Sequence, residues 1–258
     1  MSAIETDEQS LAQPRPPAPG YIKAIRIFGW TSIGLGLFLI GFVVQQLFVT
    51  TYFAQQANVE RTEEAVEYFR DVEVAEVPYE PSVGPVLPPS GNDPVPDPEN
   101  PPEPPATLYV EETPERGDSF AIIRIPTIDR LVEGWAVVEG ASRRNLRNGA
   151  GHLPHTPLPG QPGNAVISGH RTTYGAPFHE LDELVPGDLI EVETAIGIHT
   201  YAVDSTVIVG PRELWVTEER EGAWLTLTTC HPKFSSRQRL VVFAELVDGP
   251  NAPAILGS

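Results

Sequence analysis

An all-β barrel or sandwich in the C-terminal half, preceded by one membrane-spanning helix and a proline-rich stalk, is the architecture this sequence predicts. Three observations point to it. After Asp118, short β-branched and aromatic runs recur between Gly, Pro and Asp turns; no charge occurs from Ile27 to Val59; and most of the 28 prolines fall in the first half of the 258 residues. One globular domain of about 140 residues is what such a composition supports.

Residues 1–26 read as a disordered cytoplasmic tail, because Ser, Gln and Pro dominate and apolar material is sparse. Residues 27–50 form the expected transmembrane signal-anchor helix. Its strongly apolar part, Ile27 to Phe48, rises about 33 Å as a helix, close to the hydrocarbon thickness of a bilayer. The run is longer than a signal-peptide core, and no small-x-small cleavage site follows it. Lys23 and Arg26 precede the span while acidic residues follow it, so the N-terminus is expected in the cytoplasm and the remainder outside the cell.

Residues 51–118 read as an extracellular, acidic, Pro-rich stalk. A polar helix is expected over about Gln55–Ala75, with a partial apolar stripe of Val59, Ala65, Val66, Phe69 and Val72. Beyond it, Val77 to Pro105 has the composition of an extended spacer that reaches on the order of 90 Å at the polyproline rise.

Residues 119–258 are the expected globular domain. Phe120–Ile125, Leu131–Val138, Ala165–Ser168, Leu189–Val192, Ile198–Val209, Trp224–Thr229 and Leu240–Leu246 read as strands, separated by turns such as Pro159-Gly160 and Pro186-Gly187-Asp188. Helices are minor: Ser142 caps a short turn through Asn148, and His179–Leu184 forms another before Pro186.

The formal net charge of −18 argues against a nucleic-acid partner, which needs basic patches to meet phosphates. A single cysteine excludes an internal disulfide framework and any multi-cysteine zinc site. An unpaired thiol outside the cell calls for a purpose, and a nucleophile is a common one. Cys230 sits at the end of Trp224-Leu-Thr-Leu-Thr-Thr-Cys230, a strand stopped by Pro232. His170 follows the strand Ala165–Ser168, and Arg239 opens the final strand, so a hairpin returns it beside the cysteine. Three polar groups then converge at one end of the barrel.

Thr226-Leu-Thr-Thr-Cys230, Ser168-Gly-His170-Arg-Thr-Thr-Tyr174 and Arg239-Leu-Val-Val, in that combination, resemble the sortases, with the Tyr174 loop most similar to class E members of high-GC Gram-positive bacteria. The resemblance covers about residues 119–247 and implies a closed eight-stranded β-barrel with short helices. It implies Cys230 as nucleophile, His170 as general acid and base, and Arg239 as the group that binds the substrate chain and steadies the oxyanion. A guanidinium suits that last role, being always charged and donating in a planar fork. Thr229 matches a position associated with oxyanion assistance and Tyr174 one associated with LAXTG over LPXTG signals.

The implied reaction is transpeptidation without a cofactor. The thiol attacks the Thr-Gly carbonyl of a secreted protein's C-terminal sorting signal, and a cell-wall precursor amine resolves the thioacyl enzyme. A pilin-polymerising sortase, with a pilin lysine as acceptor, is the enzyme alternative. A catalytically silent envelope-binding domain predicts loss of His170 or Arg239, and both are present.

The other histidines offer a metal reading. His152 and His155 lie three apart, but Pro154 interrupts them and no carboxylate stands at ligand spacing, so no zinc is expected. No carboxylate cluster near His170 suggests a calcium cage. His179 and His199 read as ordinary surface or strand residues, and His231 adjoins the nucleophile.

Overall fold

The structure, a computed structural model, describes residues 20–45, 50–79, 106–147 and 149–257. The chain divides into two units, Met1–Gln45 and Gln46–Ser258. In the first, α1 (Gly20–Val44) has no buried residue and is long and apolar enough to cross a membrane. It begins before the expected Ile27, because nothing after Pro19 breaks a helix and Lys23 and Arg26 are good helix formers. Residues 46–49, the end of the expected span, lie outside the described residues, as do residues 1–19 of the expected tail.

In the second unit the chain runs α2 (Thr50–Asp71), β1 (Val74–Tyr79), β2 (Ala106–Glu111), β3 (Ser119–Arg124), β4 (Trp135–Glu139), α3 (Arg143–Leu146), β5 (Ala150–His152), β6 (Gly163–Ser168), β7 (Leu189–Thr194), β8 (Gly197–Val209), β9 (Ala223–His231), β10 (Gln238–Asp248) and α4 (Ala252–Leu256). Eight strands close a barrel in the order β10-β8-β7-β3-β4-β5-β6-β9. The pairs β4–β5 and β6–β9 are parallel and the other paired neighbours antiparallel.

Alternation decides which side chains fill the interior. Ala165 and Ile167, Ile190 and Val192, Tyr201 and Val203, Leu225 and Leu227, and Leu240 and Val242 all belong to one buried cluster. Tyr201 brings a hydroxyl into that core, where it accepts a 2.6 Å hydrogen bond from the Gly160 amide. Full burial of a phenol is tolerable because this partner replaces water.

Strands β3 and β4 are buried on both faces nearly throughout. Helix α2 covers their outer side, where Ile122, Ala136 and Val138 are buried outside the interior cluster. The face that docks is Ala54, Asn58, Arg61, Ala65 and Tyr68, small and polar rather than apolar. The Asn58 amide accepts from Ala136 N at 2.9 Å and donates to Gly134 O at 3.2 Å, clamping helix to strand. Arg61 donates to Gly117 O and Ser119 Oγ, and Tyr68 to Glu112 O. Of the expected stripe, Ala65 docks, whereas Val59 is 59% and Val66 36% exposed.

Residues 51–118 are therefore not an extended stalk over their described length. Besides α2 they hold β1 and β2, which pair antiparallel from Val74↔Glu111 to Tyr79↔Ala106. The proline-rich residues 80–105 lie outside the described residues; the strands on either side of them pair at Tyr79↔Ala106. Strand β5 and helix α4 were not expected, and the short turn capped by Ser142 is α3, with the Ser142 hydroxyl accepting from Asn145 N at 3.2 Å.

Candidate active site

Strand β9 lies between β6 and β10, and this neighbourhood gathers the polar residues expected to react. Leu225 and Leu227 point into the barrel, so Thr226, Thr228 and Cys230 alternate onto its outer face. Cys230 is partly accessible and unpaired. On one side Arg239 stands directly opposite it in the antiparallel ladder, and residues so paired share a face. On the other side β6 runs parallel to β9 up to Ser168↔Thr228, with Gly169 N donating to Thr228 O at 3.0 Å. The next residue, His170, leaves β6 at the level where β9 reaches Cys230.

Local chemistry shapes the turn after β6. A Cβ on Gly169 would meet the Phe178 ring at 2.6 Å, so only glycine lets the strand pass under that ring. Phe178 N donates to His170 O at 3.1 Å, closing the loop, and Tyr174 (φ 54°) and Ala176 (φ 46°) adopt left-handed backbone within it. That curl sets the Tyr174 ring 5.0 Å from the His170 ring, tilted by 43°. The Arg147 guanidinium lies 5.8 Å from the Tyr174 ring centre. Burial, and then the Arg147 charge, hold the His170 pKa below the usual imidazole value. Neutral imidazole is thus the dominant form at neutral pH.

The Arg239 guanidinium folds toward its own loop, its Nη1 donating to Ser236 O and Gln238 O, both at 3.0 Å. Those two bonds orient the planar group. Thr229 turns the opposite way from Cys230. Its buried hydroxyl donates to Gly169 O at 2.8 Å, which ties β9 to the backbone just before His170. The hydroxyl is committed there, so any oxyanion assistance from Thr229 falls to its backbone.

Arg171, passed over in the sequence as a motif letter, is 98% shielded from solvent (2% exposed). Its Nη1 approaches Cys230 O at 3.3 Å and His231 Nδ1 at 2.9 Å, while Nη2 meets Asp182 Oδ2 at 2.7 Å. Its own carbonyl accepts from His179 Nδ1 at 2.6 Å, so His179 is not an ordinary surface residue but part of this turn. No spacing rule announces such contacts, because most of the partners are backbone atoms or distant in sequence.

The metal question also has a structural answer. His152 is buried, and a carboxylate does accompany it: Glu139 Oε2 lies 2.6 Å from Nδ1. Its Nε2 faces Pro157 O and Thr156 Oγ1 at 2.9 Å. The expectation that no carboxylate pairs with it is corrected, since β5 beside β4 brings Glu139↔His152 together. The ring is bonded at both nitrogens, which makes it a satisfied structural group.

Residues 123–247 match the family model described as the sortase domain. Among curated relatives, the chain is 33% identical over 150 residues to sortase SrtE1 of Streptomyces coelicolor, covering 52% of this chain and 42% of that one. It is 34% identical over 120 residues to sortase D of Bacillus subtilis, covering 46% and 58% respectively. A solved structure of sortase E from Streptomyces avermitilis is 36% identical, with 52% of this chain and 91% of that chain covered and a TM-score of 0.47. The chain spans about half the length of the curated relatives it matches. With the matched region running from β3 to the end of β10 and enclosing His170, Cys230 and Arg239, the chain belongs to the sortase family and counts class E sortases among its relatives.

Proposed function

We propose that this chain is a membrane-anchored cysteine transpeptidase that joins secreted proteins to the cell envelope. The observation that carries the reading is the lateral arrangement of β6, β9 and β10, with Cys230 and Arg239 paired across the ladder and His170 leaving the neighbouring strand. Members of the sortase family are cysteine transpeptidases, which supports the same assignment.

In the reaction, His170 takes the Cys230 proton and Sγ attacks the carbonyl carbon of Thr in a Thr-Gly bond. The oxyanion that forms meets the Arg239 guanidinium, a charged donor fixed by its loop carbonyls. As the tetrahedral adduct collapses, the C–N bond breaks and the imidazolium returns its proton to the glycine amine. A thioacyl enzyme remains. An incoming amine then attacks it, His170 accepts the amine's proton, and Cys230 leaves as thiol after protonation. The depressed His170 pKa favours the neutral base for each attack.

The substrate is a C-terminal LAXTG-like signal, with Tyr174 beside His170 as the selecting side chain and Thr229 shaping the floor through Gly169 O. The acceptor is a cell-wall precursor amine. Helix α1 anchors the chain, and Lys23 and Arg26 near its start favour a cytoplasmic N-terminus with the barrel outside the cell.

The full chain in detergent, incubated with LAXTG and LPXTG peptides and an amine, should release the glycine-terminated fragment and form the amide. Cys230→Ala should abolish both. Cleavage that survives Cys230→Ala sinks the mechanism, and an intact LAXTG peptide with native protein sinks the substrate assignment.

A further inference from the structure

We infer that Arg171 is a positioning residue, which locks the Cys230 backbone to the turn carrying His170 and so sets the distance across which the proton moves. The inference rests on the proposed roles of Cys230 and His170. Strand pairing between β6 and β9 ends at Ser168↔Thr228, before either residue, so the ladder alone does not hold them together. Past that pair, the described side-chain hydrogen bonds between the two segments come from this one guanidinium and the Thr229 hydroxyl.

The donor arithmetic is restrictive. Arg171 belongs to the His170 turn by its backbone, and its Nη1 reaches Cys230 O and His231 Nδ1 at the end of β9. Nε leans toward His179 O at 3.4 Å, and Nη2 takes the Asp182 carboxylate on the following 3-10 turn. Lys233 of the β9–β10 loop approaches the other oxygen of Asp182 at 3.8 Å, closing a ring of contacts around the site. A guanidinium only donates, so His231 Nδ1 must present its lone pair and carry its proton on Nε2. Four chain segments are thus indexed to one planar group. A lysine, with a point charge and no fork, reproduces the charge and not the geometry.

Asp182 is 41% exposed, so removing its partner strands no deeply buried charge. Loss of Arg171 should therefore act on the relative placement of two reacting groups more than on folding. A displacement on the order of 1 Å between such groups lowers a rate about 100-fold.

The test uses the full chain in detergent, where Cys230 is the only cysteine and alkylation reads a single site. Arg171→Met is expected to lower kcat for a LAXTG peptide about 100-fold with KM within about threefold. It should also slow iodoacetamide capture of Cys230 and shift the ring nitrogen signals of His231 from a pure Nε2–H tautomer to a mixture. Arg171→Lys should recover only part of kcat. Unchanged kcat, or a fall matched by loss of folded protein with the His231 tautomer and alkylation rate intact, overturns the inference. Should Arg171→Met not fold, Asp182→Asn carries the test, with reduced kcat and slower alkylation expected and native values overturning it. If native protein cleaves no peptide, the reading of function fails by itself, while the alkylation rate and the His231 tautomer still decide the role of Arg171.

Discussion

Ala54 of α2 lies against Gly175, the residue after Tyr174: a Cβ built on Gly175 would stand 3.3 Å from the Ala54 methyl and run into the Trp135 ring. Gly175 also has φ +75°, which a side chain resists. Gly175→Ala should therefore push the Tyr174 turn away from α2 and β4, destabilising the protein by about 2–4 kcal/mol. Peptide cleavage should fall while the rate of Cys230 alkylation stays near native, since β9 is untouched. A native Tm would show that the contact is slack.

Two buried groups at the β2–β7–β8 side predict opposite pH slopes of stability. Burial pushes the Glu111 carboxyl up to about 7, against the effect of the Ala195 amide that donates to it. Burial likewise pulls the His199 imidazole down to about 4. The folded chain keeps a proton on Glu111 that the unfolded chain sheds near 4.5, so this contribution is present below that pH and lost as pH rises through 7. His199 behaves in reverse: its contribution is present above 6.5 and lost as pH falls through 4. Over the shared window the two offset. Relative to native protein, Glu111→Gln should gain stability with rising pH at roughly 1.4 kcal/mol per unit, and His199→Gln should lose it at a similar rate. Urea unfolding at pH 5, 6 and 7 measures both, and parallel curves for the three proteins would refute the assignment.

Arg147 is one of the two causes that depress the His170 pKa, the other and larger being burial. Arg147→Gln should raise the midpoint of the His170 ring-proton titration toward the ordinary imidazole value without restoring it. Because Arg147 is exposed, added salt should mimic part of the change in native protein. A midpoint that ignores both the substitution and the salt would remove Arg147 from the electrostatics of the site.

Replacing residues 80–105 by a two-residue Asn-Gly turn should leave peptide cleavage intact. The register Tyr79↔Ala106 already brings the ends together, and a shorter closed loop loses less entropy on folding. The β1–β2 sheet should gain about 1–2 kcal/mol. Measured Tm and kcat decide it; lost cleavage would mean that these residues serve the site.

The barrel was legible where strands alternate or run apolar for four residues or more, and β8 to β10 lie close to their expected bounds. Strand β5 spans three residues, Ala150–His152, too few to carry a period. Pro78 in β1 and the prolines before β2 hid a strand pair whose partners lie far apart in sequence. The uninterrupted Phe120-Ala-Ile-Ile and Trp135-Ala-Val-Val runs already imply a covered outer face, but the cover, α2, docks by Ala54 and Asn58 together with Ala65, and only Ala65 belongs to the stripe the sequence offers. That Cys230, His170 and Arg239 would gather on neighbouring strands was legible because each marks a strand end. Arg171 and the Glu139–His152 pair were not legible, since their meaning lies in partners that only the folded backbone supplies.

The clamp between Asn58 and β4 also redraws where one part of this protein can be exchanged for another. The sortase family match begins at residue 123, yet the compact unit that holds the barrel begins at Gln46, ahead of α2. A chimaera joined at residue 119 would inherit a foreign helix against Ile122, Ala136 and Val138, with no amide to satisfy Gly134 O and Ala136 N. A graft made ahead of Gln46 keeps α2 and the barrel as one heritable module.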